Sequence, residues 1–140
     1  MGTPVETGID GLTCMFPTAA DIAALGDGIQ ERLGTLGVIA ARSACIRALA
    51  EGLERGEIHP DQSANPEREM KKLQTLRGTG GWTEQYVAMR TMGWPDAFLE
   101  TDAGVKHALP DKSAKELLAL AERWRPWRSC AVVNLWFKGE

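Results

Sequence analysis

Histidine, cysteine and tyrosine are scarce in this chain, with two, three and one residue among 140. The cysteines, Cys14, Cys45 and Cys130, are odd in number and far apart, which argues against a disulfide framework and against paired metal-ligand spacing. Reduced thiols packed in the core are expected instead. With only His59 and His107 as histidines, a structural zinc site is not expected either. No apolar run is long enough to span a bilayer, and the N-terminus has no basic-then-apolar leader. No membrane partner is expected, and the expected location is the cytoplasm. Alternating β-branched runs are also missing, while apolar residues recur three or four apart, so the expected fold class is all-α.

The formal net charge is −3, an unpromising balance for a protein that touches nucleic acid. It is unevenly spread. Residues 1–70 hold 5 Lys or Arg against 11 Asp or Glu, and residues 71–140 hold 11 against 8, so the halves carry −6 and +3. The basic excess permits phosphate contacts on one surface. Taken alone, it reads equally as a solvated mixture of charges.

The 140 residues are one domain's worth. Residues 1–17 form an extended lead-in, with three glycines and no helical pattern before Leu12. Thr18 and Asp21 then mark a helix start. A short helix over Ile29–Leu36 stops at Gly37, and Ile39, Ile46, Leu49 and Leu53 line one face of a longer helix ended by Gly56. Asn65-Pro66 is a cap followed by proline at the first helical position. That helix runs through Met70 and Leu73 to a glycine turn, and the next covers Gly81–Met92 until Gly93 and Pro95 end it. Ser113 and Glu116 form a capping box for a helix to Trp124, and Pro126 opens the last helix through Trp136.

The turn between the fourth and fifth of these helices carries the chemistry. In Gly78-Thr79-Gly80, two glycines let the backbone turn tightly and leave the first N–H groups of the next helix uncovered, which suits a phosphate oxygen. The plainer reading is an interhelical turn and nothing more. Trp82 and Tyr86 are four apart, so both rings project from one helical face and form one side of an aromatic slot. Packing in the core is the alternative for such rings. A lone acid, Asp102, follows the helix and a loop; Asp before a helical segment is equally a common N-cap.

This order, Leu76-Arg77-Gly78-Thr79-Gly80, then Trp82-Thr83, then Phe98-Leu99-Glu100-Thr101-Asp102-Ala103-Gly104-Val105-Lys106, then Glu122-Arg123-Trp124-Arg125-Pro126-Trp127-Arg128-Ser129, resembles the AlkA-type 3-methyladenine DNA glycosylase II group. That group lies within the helix-hairpin-helix DNA glycosylase superfamily. Leu12–Thr18, ending Phe16-Pro17-Thr18, resembles it too. The resemblance implies a helical bundle holding a helix-hairpin-helix motif (hairpin 76–81) across residues 1–140, a partial glycosylase domain.

It also implies excision of alkylated, cationic purines from double-stranded DNA, in association with the nucleoid. Asp102 becomes the catalytic carboxylate, and Trp82, Tyr86 and Trp136 line the pocket for the flipped base. Gly78, Thr79, Gly80 and Gly81 hold a phosphate, and the carbonyls of Gln74, Leu76 and Gly78 surround a monovalent cation, with no cofactor required. Bifunctional relatives carry a lysine where Trp82 stands; tryptophan cannot form a Schiff base, so a monofunctional enzyme is implied. A noncatalytic helix-hairpin-helix DNA-binding module is the alternative. Trp124 and Trp127 are expected in the core, and Arg128 is assigned to an ion pair or a phosphate. Three positions depart from the group: Arg77 stands for its proline, Thr79 for an apolar residue, and Glu84, usually alanine, places negative charge on a DNA-facing helix. The group's N-terminal α/β domain and wedge-bearing helices have no counterpart here, so a missing N-terminal domain or a fused methyltransferase is the expected companion.

Overall fold

Four of the helices begin at a short polar side chain that caps them. The computed structural model describes residues 2–138, and in it Thr18, Asn65, Asp102 and Ser113 each accept from backbone N–H groups one turn on. Thr18 with Asp21 and Ser113 with Glu116 complete reciprocal capping boxes. The elements are α1 (Ala19–Ala23), a 3-10 turn at Gly26–Gly28, α2 (Ile29–Gly34), α3 (Ala40–Glu54), α4 (Pro66–Gln74), α5 (Gly81–Arg90), α6 (Ala103–Ala108), α7 (Ala114–Ala121), a 3-10 turn at Glu122–Trp124 and α8 (Arg128–Lys138). No strand occurs among the described residues, and the fold is all-α. Among the described residues no helix is long and apolar enough to cross a membrane.

The chain divides into two compact units, Met1–His59 with Leu76–Gly78, and Pro60–Thr75 with Thr79–Glu140. In the first, Ile22, Ile29, Leu33 and Ala50 form a small core with Val38 and Ile46 packed against it. The buried residues of α3 are small ones, Ser43, Ala50 and Gly52. Ile39, expected on that face, is the N-cap residue of α3 and is exposed. Arg47 donates to both Asp27 and Glu51. The lead-in doubles back on itself, with Val5 N donating to the Thr13 carbonyl and Met15 N to that of Thr3.

In the second unit Phe98, Leu99, Val105, Leu117, Ala121, Val132 and Leu135 make the core. Full burial of side chains such as Leu99, Leu117 and Val132 contributes about 1.5–3 kcal/mol each. The connection from α5 to α6 is unusually deep, since Asp96, Ala97, Phe98 and Leu99 are all buried. Its polar groups are met in turn. Ser129 Oγ donates to the carbonyls of Trp94 and Ala97 and accepts from Ala97 N, and Gln85 accepts from Phe98 N. Arg128 grips Asp96 through Nε at 2.6 Å and Nη2 at 3.0 Å, and Arg125 also pairs with Asp96. The role of Arg128 is therefore the ion pair.

Two expectations about the core are corrected. Trp124 packs edge-on to Phe98, with centroids 5.9 Å apart, but Trp127 is 61% exposed. The chain leaves the 3-10 turn in extended form at Arg125, which carries Trp127 outside the packed layer. The cysteines are free thiols, yet Cys14 and Cys130 lie at the surface and only Cys45 is partly covered.

Candidate active site

Backbone geometry at the hairpin explains its glycines. Gly78 has φ +103°, which strains any other residue, and a Cβ there would crowd that of Cys45 at 3.3 Å. Thr79, in place of an apolar residue, donates from Oγ1 to the Leu73 carbonyl at 2.5 Å and so satisfies an acceptor at the end of α4. Gly80 is the N-cap of α5, and no side chain bonds to its N–H groups. A Cβ on Gly80 or Gly81 would meet nothing within 4 Å, which leaves the start of α5 uncovered on that side. Glu84 does not add charge to that surface. It is 6% exposed, and its Oε2 accepts from Gln74 Nε2 at 2.8 Å. Its place in the first turn of α5, at the positive end of the helix, together with an amide donor, stabilises the buried carboxylate.

Asp102 is both the cap of α6 and the centre of an aromatic cluster. Its Oδ1 accepts from Gly104 N at 2.9 Å, Val105 N at 3.1 Å and Trp136 Nε1 at 2.7 Å. Oδ2 accepts only from Trp82 Nε1, at 2.9 Å, among the described residues. Partial burial by itself would raise the carboxyl's pKa, but the indole N–H groups of Trp136 and Trp82, followed by the amides of Val105 and Gly104, outweigh it and hold the pKa below its ordinary value. All four donors are neutral. The negative charge is therefore stabilised without being cancelled, and Oδ2 keeps acceptor capacity for a further group.

The aromatic residues expected at the site are brought together here. Trp82 and Tyr86 stack at 4.8 Å with planes 15° apart, and Tyr86 meets Trp136 at 6.4 Å, tilted by 42°. Tyr86 and Trp136 rest on the core of the second unit, while Trp82 is 39% exposed. The cluster thus leaves Trp82 partly open to solvent beside a fixed anion, an arrangement that suits a flat cation. Lys106 is one turn beyond Asp102, its N–H donating to the Asp102 carbonyl.

No family model matches the chain. It is 34% identical to DNA-3-methyladenine glycosylase 2 of Escherichia coli (strain K12), over 87% of this chain and 42% of that one. It is 35% identical to the "Probable bifunctional transcriptional activator/DNA repair enzyme AlkA" of Mycobacterium tuberculosis (strain ATCC 25618 / H37Rv), over 96% of this chain and 27% of that protein. Over most of its length the chain is thus homologous to proteins named DNA-3-methyladenine glycosylase 2 or AlkA. It spans less than half the length of the curated relatives it matches. A crystal structure of the 8-oxoguanine glycosylase/lyase of Clostridium acetobutylicum shares its fold, with TM-score 0.69 over 99% of this chain and 50% of the other at 19% identity.

Sequence reasoning missed two features of the site. One is the anchoring of the loop before Asp102 by Arg128 and Ser129, whose partners are 32 residues away. The other is Gly104, where a Cβ would stand 2.5 Å from Trp136 Cδ1. Only the tripeptide Asp-Ala-Gly after the loop hinted at it.

Proposed function

We propose that the chain carries the base-excising centre of a monofunctional DNA repair glycosylase, which hydrolyses the N-glycosidic bond of alkylated, cationic purines such as 3-methyladenine in double-stranded DNA. The observation that supports this best is the ionised Asp102, held by four neutral donors beside the Trp82, Tyr86 and Trp136 rings. A purine alkylated at N3 or N7 already carries positive charge. It departs with the bonding electron pair and becomes neutral, so no strong acid is needed.

What the reaction needs is a fixed anion beside the sugar as C1′ becomes electron-poor, and Oδ2 of Asp102 is the oxygen with capacity to face it. Water then adds to C1′ and releases its proton to bulk solvent, which leaves a neutral abasic sugar and a neutral free base. The aromatic cluster favours cationic over neutral bases by about 0.5–2 kcal/mol for each well-placed ring. Position 82 holds tryptophan, so no amine stands there to capture the sugar, and the strand is left intact.

In this reading Gly78, Thr79, Gly80 and Gly81 bind a backbone phosphate, and nucleoid DNA is the working surface. A monovalent cation at the carbonyls of Gln74, Leu76 and Gly78 belongs to the same proposal. Helix α4 ends at Gln74, where helical geometry leaves carbonyls without an intrahelical donor, which suits a cation. Such an ion would add positive charge near the phosphate.

The test is to incubate the purified chain with duplex DNA carrying methylated purines and to separate released base from DNA. Release of free methylpurine with an unbroken strand is expected. Binding with no release, under single-turnover conditions and alongside an active longer relative, would overturn the catalytic reading in favour of a binding module.

A further inference from the structure

Glycine at position 104 is not demanded by the backbone. Gly104 lies inside α6 with no positive φ, and glycine within a helix is less stable than alanine. Its advantage must come from space. A Cβ there would stand 2.5 Å from Cδ1 and 3.0 Å from Nε1 of Trp136, and 3.2 Å from Oδ1 of Asp102. Trp136 is a rigid ring packed against the core cluster and tilted by 42° against Tyr86, so its room to move away from α6 is limited. Any displacement that relieves the contact also carries Nε1 away from Oδ1, its partner at 2.7 Å.

We propose that Gly104 is a positioning residue of the excision centre: the absence of a side chain there lets the Trp136 indole close over α6 and donate to Asp102. The inference rests on the reading of Asp102 as the acting carboxylate. The carboxylate is reached from three elements, by Trp82 on α5, Trp136 on α8 and the amides of Gly104 and Val105 on α6. Among these donors only Trp136 competes for the volume of the missing Cβ. The short bond from Trp136 to a charged acceptor is among the stronger contacts Asp102 makes, so its loss is expected to be felt in both ionisation and rate.

The experiment is an NMR titration of the chain without DNA, following the Trp136 and Trp82 indole N–H signals and the Asp102 carboxyl carbon, in wild type and in Gly104→Ala. The expected result is an upfield move of the Trp136 indole proton, a smaller change at Trp82, and an Asp102 titration midpoint above that of wild type. Base release should slow about tenfold. The same substitution placed in Trp136→Ala should leave the Asp102 midpoint where Trp136→Ala alone puts it. If Gly104→Ala alone fails to fold, the pair decides. Folding recovered in the Trp136→Ala background supports the steric conflict, and failure in both backgrounds overturns it. Unmoved indole and carboxyl signals in a folded Gly104→Ala protein overturn it as well. Moved signals with unchanged base release would leave the positioning role standing and remove Asp102 from the chemistry.

Discussion

Asp96 and Asp102 stand at the two ends of one short loop and are held in opposite ways. Asp96 is buried and bound by cations, Arg128 through two nitrogens and Arg125 besides. Asp102 is less buried and is bound only by neutral N–H groups. A guanidinium cancels the charge it stabilises, and that suits an anchor. Indole and amide dipoles stabilise the anion yet leave its charge to act on whatever approaches. The contrast separates the aspartate that fixes the loop from the aspartate that the loop presents.

The sharpest way to break that contrast is to exchange the charge at each end. Asp102→Asn keeps an N-cap for α6, since Asn and Asp cap about equally well, and removes the anion. Base release measured in single turnover is expected to fall about a thousandfold or more, while the urea midpoint falls much less than it does for Arg128→Ala. Arg128→Ala should do the reverse. It leaves Asp96 buried with its main partner gone, and the chain should lose about 3–5 kcal/mol in urea denaturation. Equal stability losses for the two substitutions would show that both aspartates are structural.

A milder change sharpens the Asp102 end. Trp136→Phe keeps a ring beside Tyr86 and deletes one donor to Oδ1. The folded pKa of Asp102 lies below its ordinary value, so the ionised form and its contribution to stability persist above the ordinary carboxylate range. Both are lost only as pH falls through the depressed value. Removing a donor raises that value, so the acid limb of the pH–rate profile for Trp136→Phe should sit at higher pH than in wild type. A coincident limb would mean that Trp136 does not tune the anion.

The smallest expected effect concerns neither aspartate. Gly80 has space for a side chain and an extended φ of −121° that any residue tolerates, so Gly80→Asp should fold normally. Titration of DNA at several salt concentrations should show a few-fold weaker binding, because the new carboxylate repels phosphate at the start of α5. Unchanged affinity would remove the hairpin from the proposed DNA surface.

What could be read from the chain beforehand follows from how far apart the partners lie. The caps at Thr18, Asn65 and Ser113 involve groups within three residues, and local chemistry decides them. Trp82 and Tyr86 are likewise paired by helical spacing. Trp136 reached the site only through the resemblance, because its bond to Asp102 crosses 34 residues. The grip of Arg128 on Asp96 was open between two roles for the same reason. Glu84 and Trp127 were misplaced because local sequence says nothing about which side of a helix or turn the rest of the unit will cover. Glu84 is buried by contact with Gln74, and Trp127 is left outside by the extended backbone at Arg125.

Helix α8 holds both aspartates from one rigid rod, with Arg128 at its first residue and Trp136 near its last turn. Eight residues separate the two, a rise of about 12 Å and slightly more than two turns. The helix therefore acts as a gauge that sets the distance and the angle between anchor and anion. A change of length by a single residue between Arg128 and Trp136 would turn the indole by roughly 100° away from Asp102 even with every side chain retained. Substitutions between the two residues leave that gauge intact, whereas an insertion or deletion would move the indole off Asp102 while the anchor stayed in place.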